Sequence, residues 1–174
     1  MKNEILSAMS ERRSIKNYLP KQIEEEKLEA ILEAGLYAAN GRGLQSPIMV
    51  VVQDPTEREI LRRMNATILG SPASDPFYGA PTVIVVLADR AASTAIEDGS
   101  LVMGNIMLAA HSLGIDSCWI HRARQEFDSD EGRALLRKWG VDGDYVGVGH
   151  CILGYSGGAR PAAKPRKENR IYRV

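Results

Sequence analysis

The sequence lacks the features that would indicate export, a membrane span, or a fold stabilised by disulfides or a metal ion. It has only two cysteines, Cys118 and Cys151, both in apolar segments and without a CxxC pair. Neither a disulfide framework nor a zinc site is indicated, and we expect two buried thiols in a reducing cytoplasm. No apolar run approaches the roughly 18 residues that span a bilayer. The N-terminal residues also mix charged and apolar side chains too early for a secretion signal.

A net charge of one sign is also missing, because 22 basic residues balance 22 acidic residues. Proteins that bind nucleic acids or anionic membranes usually carry a basic excess, so neither partner is expected. The cations are nevertheless uneven along the chain. Residues 160–174 contain six lysines and arginines and a single acidic residue, Glu168. This basic tail requires an explanation.

Motifs for metal binding, nucleophilic catalysis and nucleotide binding are absent as well. His111, His121 and His150 have no metal-ligand spacing, and no serine lies in a GxSxG setting. No phosphate-binding loop occurs, and no glycine fingerprint joins a strand to a helix. We therefore predict no metal site and no catalytic nucleophile in the protein itself.

The hydrophobic pattern predicts one layered domain. The length of 174 residues, with 44% apolar and 25% charged residues, suits a single domain over 1–174 with residues 159–174 as a basic arm. Helical periodicity predicts two helices and then strands alternating with helices. The predicted helices cover residues 2–12, 24–39, 56–67, 98–113 and 129–139, and the predicted strands cover 48–53, 83–87, 115–120 and 145–153. The helix over 98–113 is apolar enough for a core or a subunit interface.

Two segments at the ends of the chain could hold an anion. Arg12-Arg13-Ser14-Ile15-Lys16 would present Arg12, Ser14 and Lys16 on one side if it is extended. Arginine binds phosphate by paired hydrogen bonds and lysine binds it as a point charge. Lys164-Pro165-Arg166-Lys167 could add cations for the same anion. The alternatives are a solvated helix end for the first segment and a frayed terminus for the second.

A third polar segment, Asn40-Gly41-Arg42-Gly43-Leu44-Gln45-Ser46-Pro47, could contact a heterocycle. Its glycines permit a close approach of the backbone, and its amide side chains offer both donors and acceptors. The alternative is an ordinary connection between a helix and a strand.

Together, in this order and spacing, these segments resemble the nitroreductase family of flavoproteins. Residues 12–16 are similar to the family's N-terminal Arg-x-Ser-x-Arg/Lys motif, and residues 113–120 resemble its helix-to-strand passage beside the flavin. The resemblance covers nearly the whole chain. It implies an α+β fold of three layers, in which a central mixed, mostly antiparallel sheet is flanked by helices.

The resemblance also implies roles for individual residues in binding FMN. Arg12, Lys164 and Arg166 would hold the phosphate, Ser14 would bond the ribityl or phosphate region, and Arg13 would contribute backbone contacts. Lys16 would approach the pyrimidine edge of the ring, and the backbone of His121 and Arg122 would lie close to the reactive N5 face. Asn40 and Gln45, with Arg42 nearby, would contact the ribityl chain or the ring edge.

Two departures from the family pattern concern the substrate side. The loop lacks the common Pro-Ser-x-x-Asn-x-Gln-Pro-Trp form, so Gln45 carries over better than Asn40. The chain also has no long insertion for lid helices. Only Pro76-Phe77-Tyr78 suggests an aromatic wall beside the flavin.

The activity implied by the resemblance is oxidoreduction carried by FMN. A hydride from NADH or NADPH would pass through flavin N5 to a small organic oxidant such as a nitroaromatic, a quinone or an enone, with ping-pong kinetics. A homodimer with FMN near its interface is implied too. Three alternatives stay open: specialised flavin chemistry such as reductive dehalogenation or ring oxidation, a non-catalytic flavin-binding or sensor protein, and an interaction domain whose basic tail binds an acidic partner.

Overall fold

The computed structural model describes residues 3–174 as four strands and six helices arranged in an α+β fold. The strands are β1 (Pro47–Val52), β2 (Thr82–Asp89), β3 (Asp116–Ile120) and β4 (Tyr145–Gly154). The helices are α1 (Glu4–Glu11), α2 (Glu25–Leu36), α3 (Pro55–Ile68), α4 (Ala95–Ser112), α5 (Ala123–Phe127) and α6 (Asp130–Lys138), with a short 3-10 turn at Gly41–Gly43. The predicted α+β class is confirmed.

The sheet has the strand order β1-β2-β4-β3, and each neighbouring pair of strands is antiparallel. Among residues 3–174, parallel pairing occurs only at an isolated bridge between Ser14 and Ser117. β2 and β4 lie in the centre and are covered on both faces. This explains why β2 is aliphatic almost throughout rather than alternating. β1 and β3 form the two edges.

Helices cover both faces of the sheet, which gives the predicted three layers. One core lies between the sheet and α3, α5 and α6, and it includes Leu61, Val85 and Leu136. The other lies between the sheet and α2 and α4, and it includes Ile31 and Ile106. Successive residues of β2 point to opposite faces, so this one strand contributes to both cores.

Side-chain caps set the beginnings of three helices. Asn3, Asp54 and Ser129 each accept a hydrogen bond from a backbone N–H in the first turn of α1, α3 and α6, respectively. Such caps satisfy donors that a helix N-terminus otherwise leaves unpaired. The predicted start of the first helix at Lys2 lies outside the described residues, and α1 ends at Glu11 rather than Arg12.

Several predicted bounds were wrong, and one helix was not predicted. The helix predicted over 24–39 ends at Leu36, and the helix predicted over 98–113 begins three residues earlier, at Ala95. α5 is only five residues long, which is too short for a helical periodicity to show. After Gly154 the chain has no further helix or strand. No helix among residues 3–174 has both the length and the apolar character to cross a bilayer.

Candidate functional site

A cleft of about 900 Å³ lies between the end of α1 and the C-terminal tail. The cationic residues that line it come from both ends of the chain: Arg12, Arg13, Lys164 and Arg166. Among residues 3–174 no carboxylate lines the cleft, and Ser14 adds a hydroxyl. The fold therefore brings the predicted phosphate ligands together in one place, although they are about 150 residues apart in the sequence. The volume of the cleft lies within the range that is typical of small-molecule sites.

Two guanidinium groups in this cleft have nitrogen atoms without a hydrogen-bond partner. Arg12 Nη1 and Arg13 Nε are both shielded from solvent, and neither bonds to any of residues 3–174. Arg13 Nη1 donates hydrogen bonds to the backbone oxygens of Ser10 and Arg12, at 2.7 and 2.8 Å. Buried donors are normally satisfied, so these two nitrogen atoms are available to an anion that enters the cleft.

The segment after α1 is extended, as predicted, and its residues alternate between the core and the surface. Ile15 is buried, whereas Ser14 and Lys16 are exposed. The Ile15 N–H donates to the Ser117 carbonyl at 3.1 Å, which fixes the segment beside β3. Burial raises the pKa of Cys118, and a hydrogen bond with Ser14 and the charges of Lys16 and Arg12 only partly oppose it. The three polar side chains thus share the neighbourhood of one thiol.

The far end of the extended segment lies near the end of β3. Because Ser14 pairs in parallel with Ser117, Lys16 is level with residue 119, and His121 follows about 7 Å further along the strand. The Lys16 ammonium lies 5.7 Å from the centre of the Tyr78 ring. Lys16 and His121 therefore lie further along the direction of β3 than Arg12 does.

The predicted aromatic wall is only partly present. Pro76 and Phe77 are buried, and Phe77 packs against His150 with 5.4 Å between ring centres. Only Tyr78 remains accessible, with 37% of its surface exposed. Asp75 fixes this loop by accepting hydrogen bonds from the backbone N–H groups of Phe77 and Gly79. The sequence could not distinguish a core aromatic from a wall aromatic in one tripeptide.

The beginning of the basic tail is anchored to the body of the domain. Arg160 forms an ion pair with Asp116 at 3.0 Å and contacts the His111 ring at 3.4 Å. Burial lowers the pKa of His111, and the charge of Arg160 lowers it further. A neutral imidazole can accept a hydrogen bond from Arg160, so this contact holds the tail at the C-terminal end of α4.

The loop with Asn40, Arg42 and Gln45 is held from beneath by the buried Asp98. Its carboxylate accepts hydrogen bonds from the Gly41 N–H at 2.9 Å, from the Ser46 hydroxyl at 2.8 Å and from Thr94. Burial opposes ionisation of Asp98, but these hydrogen bonds outweigh it and lower its pKa. The Asn40 side chain is used within the loop, where its oxygen accepts from the Gln45 N–H. Arg42 and Gln45 are exposed.

Within one chain, this loop and the basic cleft lie at opposite sides of the molecule. The loop leads into β1, whereas residues 12–16 run beside β3. β1 and β3 are the two edge strands of the sheet. At about 4.8 Å per strand, the edges are about 14 Å apart. Along α4, Asp98 and His111 are separated by about 20 Å. The structure therefore brings the predicted phosphate ligands together but leaves Asn40, Arg42 and Gln45 away from them.

A buried polar network below His121 and Arg122 was missed by sequence reasoning. Asn65, Glu126 and His150 are each fully buried, and Asn65 donates to the His121 carbonyl at 2.9 Å. His150 lies in the apolar strand β4, but Asn65 and Glu126 lie on helices with several other polar residues, and nothing in the sequence indicates that the fold brings the three together. Among residues 3–174, no three His, Cys, Asp or Glu side chains are grouped as a metal site requires.

Comparisons with known proteins agree with this architecture. The family model described as "Nitroreductase family" matches residues 9–155. A protein of Archaeoglobus fulgidus, named "Putative NADH dehydrogenase/NAD(P)H nitroreductase", is 33% identical over 157 residues, which cover 87% of this chain and 85% of that protein.

Two solved structures show the same fold over the full length. A nitroreductase with bound FMN from Bacteroides fragilis has a TM-score of 0.91 and 33% identity, covering 99% of this chain and all of the other. A nitroreductase with bound FMN from Desulfitobacterium hafniense has a TM-score of 0.89 and 26% identity, covering both chains completely. On the family match and these similarities, the chain belongs to the nitroreductase family.

Proposed function

We propose that this protein is an FMN-dependent oxidoreductase that passes a hydride from NADH or NADPH to a small organic oxidant. The observation that carries the proposal is the cleft in which Arg12 and Arg13 present buried donors without partners. The bound FMN of the two solved relatives and the NAD(P)H in the name of the archaeal relative support it. A nitroaromatic, a quinone or an enone would serve as the oxidant.

The basic cleft fits the phosphate of FMN. Arg12, Lys164 and Arg166 line it and would neutralise a doubly charged phosphate, with Ser14 as an additional hydrogen-bond donor. Arg166 now donates to the Lys164 carbonyl at 2.7 Å within its own tail. That contact holds the side chain near the cleft and leaves other guanidinium donors for the ligand.

The other end of the site fits the flavin ring. FMN, when bound, supplies the hydride-accepting N5 atom, so the protein needs no nucleophile of its own. Lys16 would stabilise negative charge at the pyrimidine edge of the ring, because a fixed cation there needs no reorganisation. The backbone of His121 and Arg122 would meet the N5 side of the ring. Tyr78, whose ring centre lies 5.7 Å from the Lys16 ammonium, offers an accessible aromatic ring at this end.

We further propose a homodimer, in which the loop of one copy completes the site of the other. The loop and the cleft lie on opposite edges of one sheet, and a second copy would bring Asn40, Arg42 and Gln45 to the same FMN as Arg12. Apolar side chains near the loop and on α4 lack cover in the single chain, including Leu36, Tyr37, Leu44 and Leu101. A second copy that covers these side chains would remove apolar surface from water.

The remaining features of the proposal concern the organisation of the chain. We propose one FMN-binding domain over residues 1–174, with residues 159–174 as a basic arm that joins the site, in a cytoplasmic protein. The arm is exposed along its length, including Ile171 and Tyr172, which suits a segment that packs against a second copy.

Titration of the flavin-stripped protein with FMN, followed by steady-state kinetics with each nicotinamide donor, tests the proposal. We expect saturable FMN binding and parallel double-reciprocal plots with a quinone or nitroaromatic oxidant, as in ping-pong kinetics. Intersecting plots would contradict the shared site for donor and oxidant. Failure to bind FMN would contradict the proposal as a whole.

A further inference from the structure

Three polar side chains are fully buried beneath the end of β3, outside the basic cleft. Asn65 on α3, Glu126 on α5 and His150 on β4 each have no exposed surface. Residues of these types are seldom buried unless hydrogen bonds or charge pairs compensate for lost hydration. Their joint burial at one point therefore indicates a purpose other than filling space.

The side-chain amide of Asn65 occupies the centre of the network. Its nitrogen donates to the His121 carbonyl at 2.9 Å and to Glu126 Oε1, and its oxygen accepts from Arg122 Nε at 2.9 Å. The second carboxylate oxygen, Glu126 Oε2, lies 3.0 Å from His150 Nε2, a charge-pair distance, although neither atom has a hydrogen-bond partner among residues 3–174. One amide thus connects the backbone of His121 with the side chain of Arg122.

The segment that Asn65 holds has an unusual backbone conformation. Arg122 has a φ of 82°, in the left-handed region that glycine usually occupies, and it lies directly before α5. Such a conformation persists where the surroundings determine it. α5 is also packed closely on two sides, against Gly147 and Gly132. A Cβ added to either glycine would lie about 2 Å from a backbone oxygen of α5.

We propose that Asn65, Glu126 and His150 form a positioning network that fixes the backbone of His121 and Arg122 for hydride transfer. The proposal rests on the proposed function, in which this backbone lies beside flavin N5. The three residues touch neither the cleft nor its phosphate ligands. They act on the reaction only through the two residues they hold. The network therefore determines how fast the flavin is reduced and not how tightly its phosphate is bound.

The test replaces Asn65 with Leu, which removes every hydrogen bond of the amide at similar volume. A matched control is Leu61→Ala, which removes a fully buried side chain from the same helix and none of the hydrogen bonds of the network. Amide hydrogen exchange is measured on both variants without flavin. We expect exchange at residues 121–123 to rise by about tenfold in Asn65→Leu relative to Leu61→Ala at matched stability.

The same variants are then loaded with FMN and reduced anaerobically with NADH. We expect the limiting rate of flavin reduction to fall by about tenfold or more in Asn65→Leu, because small misplacements near the reacting atoms are costly. The Kd for FMN should stay within about threefold of the wild type. If Asn65→Leu does not fold, Asn65→Ser, which keeps a polar atom, takes its place.

Two results would overturn the positioning role. One is unchanged exchange at residues 121–123 in the Asn65 variant, and the other is a reduction rate equal to that of the Leu61→Ala control. Failure of the proposed function is recognised separately, because it would appear in the wild type as a lack of FMN uptake. The exchange measurement needs no flavin and still decides whether the network holds the segment.

Discussion

Two charged side chains of this protein, Arg12 and Asp98, differ in whether the chain itself satisfies their hydrogen-bonding groups. Asp98 is buried and accepts hydrogen bonds from three groups of its own chain. Arg12 has a shielded nitrogen that bonds to none of residues 3–174. An internally satisfied charge stabilises the fold, whereas an unsatisfied one is available to a ligand. We therefore expect substitutions of the two to affect different properties.

Replacement of Arg12 with Ala should weaken FMN binding without unfolding the domain. A charge-assisted hydrogen bond to phosphate contributes about 1.5 to 3 kcal/mol, so the Kd for FMN should rise by at least about tenfold. Arg166→Ala should act in the same direction. Fluorescence titration with FMN measures the change, and Arg137→Ala on the exposed side of α6 is the control. Unchanged flavin affinity in both site variants would contradict the phosphate assignment.

Replacement of Asp98 with Asn should cost about 2 kcal/mol of unfolding free energy near neutral pH, because hydrogen bonds to a buried carboxylate are lost. The pKa of Asp98 is lowered in the fold. Its contribution is therefore fully present above the unfolded pKa of about 3.9 and is lost as the pH falls through the folded pKa. Urea unfolding of both proteins between neutral and acidic pH should show the difference narrowing only below about pH 4. A constant difference at all pH values would refute the role of the charge.

Among the elements, α5 depends most on close backbone contacts. The Cβ of an alanine at residue 147 in β4 would lie 2.2 Å from the Ala123 carbonyl oxygen, at the beginning of α5. Backbone cannot move aside as a flexible side chain can. The close approach of α5 to the sheet thus requires that residue 147 carries no side chain.

Gly147→Ala should therefore destabilise the domain by about 3 kcal/mol, since overpacking a tight contact costs this order of free energy. Thermal and urea unfolding measure the loss. A second consequence follows at Arg122, which precedes α5: hydrogen exchange there should rise together with the loss of stability. A variant as stable as the wild type would show that α5 is free to shift.

The elements with strong hydrophobic patterns were predictable from sequence, and the short or strained ones were not. β2 and α4 are long and apolar, so their existence and type follow from periodicity, although α4 begins earlier than predicted. α5 has five residues and begins at an arginine with a positive φ. Sequence preferences do not favour that conformation, and only tertiary packing imposes it.

At the scale of the molecule, the candidate site too was predictable from the sequence only in part. The cationic character of Arg12, Lys164 and Arg166 was visible in the sequence, and the fold brings all three to one cleft. The separation of this cleft from the loop with Gln45 depends on strand order. The order β1-β2-β4-β3 places their strands at opposite edges. No local pattern encodes that order, so the motifs themselves do not predict this separation, and only the resemblance to the family implied a dimer.

The proposed homodimer makes a prediction at this scale. Leu101 on α4 is 48% exposed in the single chain, and Leu101→Glu should place a charge in the interface. We expect a shift from dimer to monomer in analytical ultracentrifugation, together with loss of bound FMN. Leu69→Glu at the end of α3, where Leu69 is 46% exposed, is the matched control and should stay dimeric. A wild type that sediments as a monomer with FMN bound would contradict the proposal.

The most direct test is an anaerobic absorbance spectrum of the FMN-loaded protein before and after addition of NADH, with NADPH tried in parallel. Our proposal predicts that the visible flavin bands bleach with at least one donor and return when a quinone or nitroaromatic is added. The donor that bleaches them faster also identifies the nicotinamide preference. Flavin bands that persist with both donors would contradict the proposed reductase activity and would favour a flavin-binding protein without this reaction.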